Sequence, residues 1–276
     1  MQSIAHSMGS DMLVIDMTDS IVKCLAESVV AVEIDSWRQL SNYELSVPVI
    51  FRSMSQRNTV SECNATGRDY FYIDTGYLGN LDKRKNWHRV VHNGMQHSSP
   101  NYNLLDDRFN KLAYDKLYIP FSKWKKDGRA ILIVTPSEKP CQFYGINRDE
   151  WVASTISSIK AHTDRPIIIR DKVLRRDRVG VNNIYQQFKE DDIYAVVTYN
   201  SIAATESIGY GIPCFTSAPN AADPFCLKDI SKIETPYYSD VDQVKKWQHW
   251  LAYCQFTTTE LCDGTAFNII NEYNIK

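Results

Sequence analysis

The chain contains no apolar run near the roughly 18 residues that a membrane-spanning helix needs, and no basic-then-apolar leader of the secretory kind opens it. It has no CxxC motif, and no spacing of cysteine and histidine suggests zinc. Its seven cysteines are scattered and odd in number. That argues for reduced thiols rather than a disulfide framework, and so for a cytoplasmic protein. There is no internal repeat and no low-complexity run. Charge of either sign is not in excess: the formal net charge is −2. A large sequence-independent affinity for nucleic acid, which rests on neutralised phosphates, is therefore not indicated. Local basic segments remain at Lys83–Arg89 and Lys123–Lys126. No pair of aspartates stands at a strand end as a metal pair would, since Asp106-Asp107 and Asp191-Asp192 flank helices. No metal, no other cofactor and no obligate protein partner is expected.

What is present is ordinary in bulk and unusual in its aromatics. The 276 residues are 43% hydrophobic and 23% charged, the balance of a soluble globular protein. Aromatics make up 12%, with 16 Tyr and 6 Trp. Such rings offer a stacking face with a polar tip, which suits sugars and bases.

Short apolar runs alternate with amphipathic ones along the chain. Met1–Asp11 read as a tail. Strands are expected at Met12–Met17, Val29–Ile34, Val47–Arg52 and Tyr70–Asp74, with a fifth around Val90-Val91. Thr18-Asp19-Ser20 cap a helix reaching Ser28; Ser36–Tyr43 is a short helix, and Leu104–Leu117 has helical spacing. Tyr118–Gly128 breaks the rhythm with Pro120, three lysines and Gly128, and reads as a linker. The pattern then restarts with strands at Ala130–Thr135 and Pro166–Arg170 and helices at Asp149–His162, Asn182–Lys189, Val241–Cys254 and Thr257–Tyr273. Alternation of this kind predicts parallel sheets covered by helices. The domains read as 12–122 and 128–260, with 261–276 a closing helix; one continuous α/β domain is the competing layout.

Within the second half, Tyr194–Phe215 is a strand, a polar turn, a small-residue helix and a second short strand. The joint between strand and helix carries Asn200 and Ser201, and in an open α/β sheet that joint faces the ligand crevice. A helix N-terminus there suits phosphate. Glu206, about one turn in, suits ribose hydroxyls. Asn200, Ser201, Ala203, Ala204, Glu206, Gly211 and Pro213 together resemble the donor-nucleotide segment of GT-B glycosyltransferases, above all the capsule-polysaccharide and Kdo-transferase-like group. The close match is confined to this segment. A looser likeness to phage and bacterial proteins of this fold runs from Arg129 to Phe267, and the N-terminal half resembles nothing named. The resemblance implies a GT-B-like α/β fold, two Rossmann-like domains facing across a cleft, with the last helices crossing back onto the first domain. It also implies transfer of a sugar from a nucleotide-sugar donor to a hydroxyl acceptor, either a glycan or a hydroxymethylated base in phage DNA. A sugar-nucleotide epimerase or hydrolase and a non-catalytic nucleotide-binding protein are the alternatives.

Further candidates stand at other strand ends. Thr135, Ser137 and Lys139 follow the first strand of the second half, and the resemblance implies that they approach the donor. Arg170 and Lys172 stand at the end of the next strand; the resemblance implies that such a pair of fixed cations assists a departing phosphate without a metal. Arg175, Arg176 and Arg178 continue that segment. Thr205 and Asn220 are further donor contacts, and Glu234 to Tyr238 are read as a rim. In the first half Asp74 ends a strand, and His92 and His97 follow in a histidine-rich stretch. Asp74, His92 and His97 are the candidate bases for the acceptor hydroxyl.

Overall fold

The computed structural model describes residues 12–78, 87–114, 119–171 and 183–275. The Met1–Asp11 tail, Lys172 and the three arginines after it lie outside these residues. The strands are β1 (Met12–Ile15), β2 (Ala31–Ile34), β3 (Val49–Arg52), β4 (Tyr70–Thr75), β5 (Trp87–His92), β6 (Ala130–Val134), β7 (Ile167–Arg170), β8 (Ile193–Thr198), β9 (Cys214–Thr216), β10 (Cys226–Leu227) and β11 (Gln255–Thr257). The helices are α1 (Ser20–Glu27), α2 (Arg57–Thr66), α3 (Asp107–Tyr114), α4 (Glu138–Tyr144), α5 (Arg148–Lys160), α6 (Ile184–Glu190), α7 (Ala203–Tyr210), α8 (Val241–Tyr253), α9 (Thr258–Cys262) and α10 (Thr265–Glu272). Trp37–Asn42 form a 3-10 turn rather than an α-helix.

The chain separates into two compact units, one of residues Met1–Tyr118 and His249–Lys276, the other of Ile119–Gln248. The first holds a six-stranded sheet ordered β11-β5-β4-β3-β1-β2. Strands β2, β1, β3 and β4 are parallel, and β5 turns antiparallel to β4. β11 arrives from the far end of the chain and pairs antiparallel with β5. The second unit holds a five-stranded parallel sheet ordered β10-β9-β8-β6-β7.

The central strands are unbroken apolar runs because helices cover both faces of a parallel sheet. All four residues of β1 and all five of β6 are buried. Local chemistry marks the helix ends. Asp19 accepts the amides of Ile21 and Val22 to start α1. Asn147 does the same for α5, and Asn183 and Gln186 form a capping box at α6. Gly67, Gly145 and Gly211 stop α2, α4 and α7 in the left-handed conformation.

Three segments differ from expectation. The polar stretch after β3 folds into α2, which buries only Thr59, Val60 and Cys63 and so shows almost no apolar periodicity. The segment after β6, where no helix is expected, holds α4. The single closing helix is β11, α9 and α10, broken where Gly264 takes φ 84°.

Candidate functional site

Ligands of an open parallel sheet lie beyond the carboxyl ends of its strands, where the strand order changes direction. In the second unit β7 lies on one side of β6 and β8 on the other, so the change falls between β6 and β8. The residues leaving those strands are Thr135–Ser137 and Tyr199–Ile202.

Thr135 is buried; its N–H donates to the Arg170 carbonyl at 3.1 Å and its hydroxyl to the Asp171 carboxylate at 3.0 Å. Arg148 binds the same carboxylate. Ser137 precedes α4, and its hydroxyl makes no cap bond to that helix. Asn200 is buried and hydrogen-bonds the Tyr144 hydroxyl. The Ser201 hydroxyl accepts the Ala203 N–H at 3.3 Å, a long cap bond that leaves its own proton to donate. Asn220 is buried too: its amide donates to the Ser201 carbonyl at 2.9 Å, and its carbonyl oxygen accepts from Ala222 N–H at 3.0 Å. It braces the Ser201 turn. Glu206 sits partly exposed in the first turn of α7. Arg170 donates to Gln187 at 2.6 Å.

Two placements are corrected here. Thr205 is 0% exposed and its hydroxyl donates to the Ile202 carbonyl at 2.7 Å, so it serves the helix and not a donor. Glu234 binds Arg165, which precedes β7 and also reaches the Gly128 carbonyl ahead of β6. That pair lies at the amino edge of the sheet, away from the switch point.

The structure adds residues that spacing did not indicate. Tyr144 and Tyr199 meet at 5.3 Å, Trp151 meets Tyr199 at 5.9 Å, and the Trp151 indole donates to Ser217 at 3.1 Å. These three partly exposed rings lie beside the crevice. Next to them a pocket of about 450 Å³ is lined by Thr216, Ser217, Ala218, Pro219, Asp223 and Lys228. The Lys228 ammonium donates to Thr216 at 2.7 Å, Ala218 at 3.2 Å and Asp223 at 2.6 Å. A larger hollow of about 560 Å³ lies in the first unit, between residues 99–103 and Tyr273-Asn274. Neither segment leaves the carboxyl end of a parallel strand, so topology favours the smaller pocket.

In the first unit the order changes between β1 and β3. The loops there hold Asp16, Thr18 and Asp19 on one side and Arg52 and Ser53 on the other. Asp16 (φ 70°) and Ser53 (φ 79°) are both left-handed, a conformation costing roughly 1–2 kcal/mol for a residue with a Cβ. Arg52 Nη1 reaches both Asp19 oxygens, at 3.0 and 2.9 Å. Burial pushes the Asp19 carboxyl upward, but Arg52 and the two helix amides outweigh it and hold it below its ordinary value.

One strand over, Asp74 accepts from the Tyr72 hydroxyl at 2.8 Å, the Thr75 N–H at 2.7 Å and the buried Arg89 at 3.0 Å. Its side chain is 33% exposed. Because β5 is antiparallel, Arg89 and His88 lie opposite Asp74 and Thr75 at the carboxyl edge, while His92 lies opposite Phe71 at the other edge. His92 is thereby removed from the crevice; its ring stacks on Phe71 at 4.9 Å and its Nε2 lies 3.6 Å from Asp69. His97 is 0% exposed, with ring nitrogens 3.1 Å from the Tyr77 hydroxyl and 3.1 Å from the Val90 carbonyl. Burial, then Arg89, pushes it down to about 3. His88 is the histidine at the crevice edge. It is buried, its Nδ1 has no hydrogen-bond partner among the described residues, and burial, then Arg52, pushes it down to about 4.

No protein-family model matches the chain, and no curated protein matches it in sequence. Among solved structures, a β-Kdo 2,7 transferase, KpsC of Thermosulfurimonas dismutans, is similar with a TM-score of 0.57 at 10% identity, over 96% of this chain and 100% of that one. A β-Kdo 2,4 transferase, also KpsC of that organism, gives a TM-score of 0.47 at 10% identity over 91% of this chain and 94% of that one. The fold is accordingly an α/β fold of two Rossmann-like units, resembling the Kdo-transferase-like glycosyltransferases.

Proposed function

We propose that this chain is a glycosyltransferase, with its nucleotide-sugar donor held at the carboxyl edge of the second sheet. The observation that carries the reading is the full-length likeness in fold to a β-Kdo transferase, joined to a polar crevice at the β6/β8 switch point. The base stacks among Tyr144, Trp151 and Tyr199. The Ser201 hydroxyl and the start of α7 take the phosphate, and Glu206 takes a ribose hydroxyl. As the glycosidic carbon leaves the donor, the phosphate oxygen keeps the bonding electrons. Arg148, Arg170 and Lys228 are the described cations that offset this charge without a metal. The acceptor hydroxyl attacks that carbon and yields its proton to a carboxylate base, for which Asp74 is the candidate. The acceptor is a glycan hydroxyl, the class closest to the neighbour's chemistry.

A thermal-shift screen with CMP-, UDP-, GDP-, ADP- and dTDP-sugars tests the donor site. One nucleotide class should raise the Tm, because a ligand at a hundred times its Kd stabilises the fold by about 2.7 kcal/mol. Tyr199→Ala and Ser201→Ala should weaken that shift, and turnover should persist in EDTA. No shift with any nucleotide would sink the donor site. Release of free sugar without transfer to any acceptor would make the protein a hydrolase.

A further inference from the structure

The cysteines of this chain show no metal spacing in sequence, yet folding brings two of them together from opposite ends of it. Cys24 and Glu27 lie on one face of α1, at positions i and i+3. Cys262 ends α9, which packs along α1. The two sulfurs and a Glu27 carboxylate oxygen all lie within 4.8 Å of one another. The thiols of Cys24 and Cys262 hydrogen-bond each other, and both are partly buried. Glu27 reaches in from the solvent side, where it pairs with Lys23 at 3.8 Å in an exposed i, i+4 pair. This is a grouping that the proposed transfer chemistry does not use.

We propose that Cys24, Glu27 and Cys262 form a binding site for a soft divalent cation, of which zinc is the type, clamping α9 to α1. Zinc takes thiolate sulfur at about 2.3 Å and carboxylate oxygen at about 2.1 Å in a tetrahedron, which sets its ligands about 3.5–3.8 Å apart. The three ligand atoms, all within 4.8 Å of one another, are grouped near this spacing. Two thiolates and a carboxylate give the soft, anionic donor set that selects such an ion over magnesium or calcium. The fourth position opens to solvent on the Glu27 side and takes water. The clamp joins the C-terminal segment to the first helix of the same unit. Burial, then the Cys262 thiol, pushes the Cys24 thiol up to about 11. Because a metal takes thiolate and not thiol, uptake releases protons and affinity rises with pH.

Cobalt(II) is the probe, added to the full-length reduced protein after chelator treatment, with zinc as competitor. One cobalt per chain should bind and give a thiolate-to-metal charge-transfer band, displaced by zinc, with proton release and a higher Tm. Cys24→Ser and Cys262→Ser should abolish the band, and Glu27→Gln should weaken affinity about tenfold or more. Cys214 and Cys226 face each other on β9 and β10, so the double Ser variant there is the control and should keep the band. Circular dichroism of the metal-free variants separates loss of the site from loss of fold. The site is refuted if folded wild-type protein shows no band, or if the band survives Cys24→Ser/Cys262→Ser. It is equally refuted if the band vanishes in the Cys214/Cys226 control. Formation of a Cys24–Cys262 disulfide in air, with no metal uptake when reduced, would identify a redox pair instead.

Discussion

At the scale of single residues, strand direction decides which histidine faces the crevice. His88, His92 and His97 lie within ten positions of one another in a polar, aromatic stretch, and nothing in their spacing ranks them. The antiparallel entry of β5 sends His92 to the amino edge and leaves His88 beside Arg89 and Asp74. Asp74 itself was legible, because a carboxylate closing an apolar strand stands at the ligand edge. Its Arg89 partner was not, since the pair depends on register. The buried histidines carry a stability prediction. His88 and His97 are held at about 4 and about 3, below the unfolded value near 6.5. Unfolding therefore binds protons as pH falls from about 6.5, and their contribution is full above that pH and lost progressively towards pH 3. Denaturation midpoints measured from pH 7 to pH 4 should fall steeply, and His97→Gln should flatten the slope in whatever fold remains. An unchanged slope in a folded His97→Gln protein would show that the histidine is not the source.

Elements were legible where a run or a cap announces them. The apolar runs of β1, β6 and β8 and the cap Asp19 needed no tertiary information. Helices α2 and α4 were missed because α2 buries only Thr59, Val60 and Cys63 and α4 buries no residue fully, so neither carries an apolar period. Glycine stops differ in what they do. Gly211 takes φ +92°, and a Cβ there would lie 2.2 Å from the Lys123 carbonyl oxygen. Its own carbonyl accepts the Lys125 N–H at 2.7 Å. Gly67 takes φ +74° with nothing within 4 Å of a Cβ. Gly67→Ala should cost about 1 kcal/mol of left-handed strain, whereas Gly211→Ala adds overpacking of about 1–3 kcal/mol. Urea midpoints of the two variants compare them directly, and equal losses would contradict the close approach at Gly211.

For the molecule as a whole, the chain's last residues complete its first sheet. The Gln255 side chain donates to the Leu78 carbonyl at 3.0 Å and accepts its N–H at 2.8 Å. Arg108 is held by Glu260 at 2.7 Å and by the Gln255 and Ala252 carbonyls. Trp250 and Phe256 are 0% exposed, and Phe267 meets Phe71 edge-on at 5.1 Å. Each such aromatic accounts for about 3–5 kcal/mol against a total stability of about 5–15 kcal/mol. A chain ending before His249 should leave the first unit unfolded and the second protected from hydrogen exchange. Native-like exchange protection of β1, β3 and β4 in that truncated chain would refute the dependence.

By itself the sequence determined the class of architecture, two series of strands and helices, and the polar joint at Asn200-Ser201, because hydrophobic period and turn chemistry are local properties. Only the tertiary structure decided the strand order, the reversal at β5 and the arrival of β11. The same holds for the aromatic group of Tyr144, Trp151 and Tyr199 and for the meeting of Cys24 with Cys262. Each of these depends on which distant segments pair, and pairing is settled by the burial of whole faces and by register, which no local window of the chain contains.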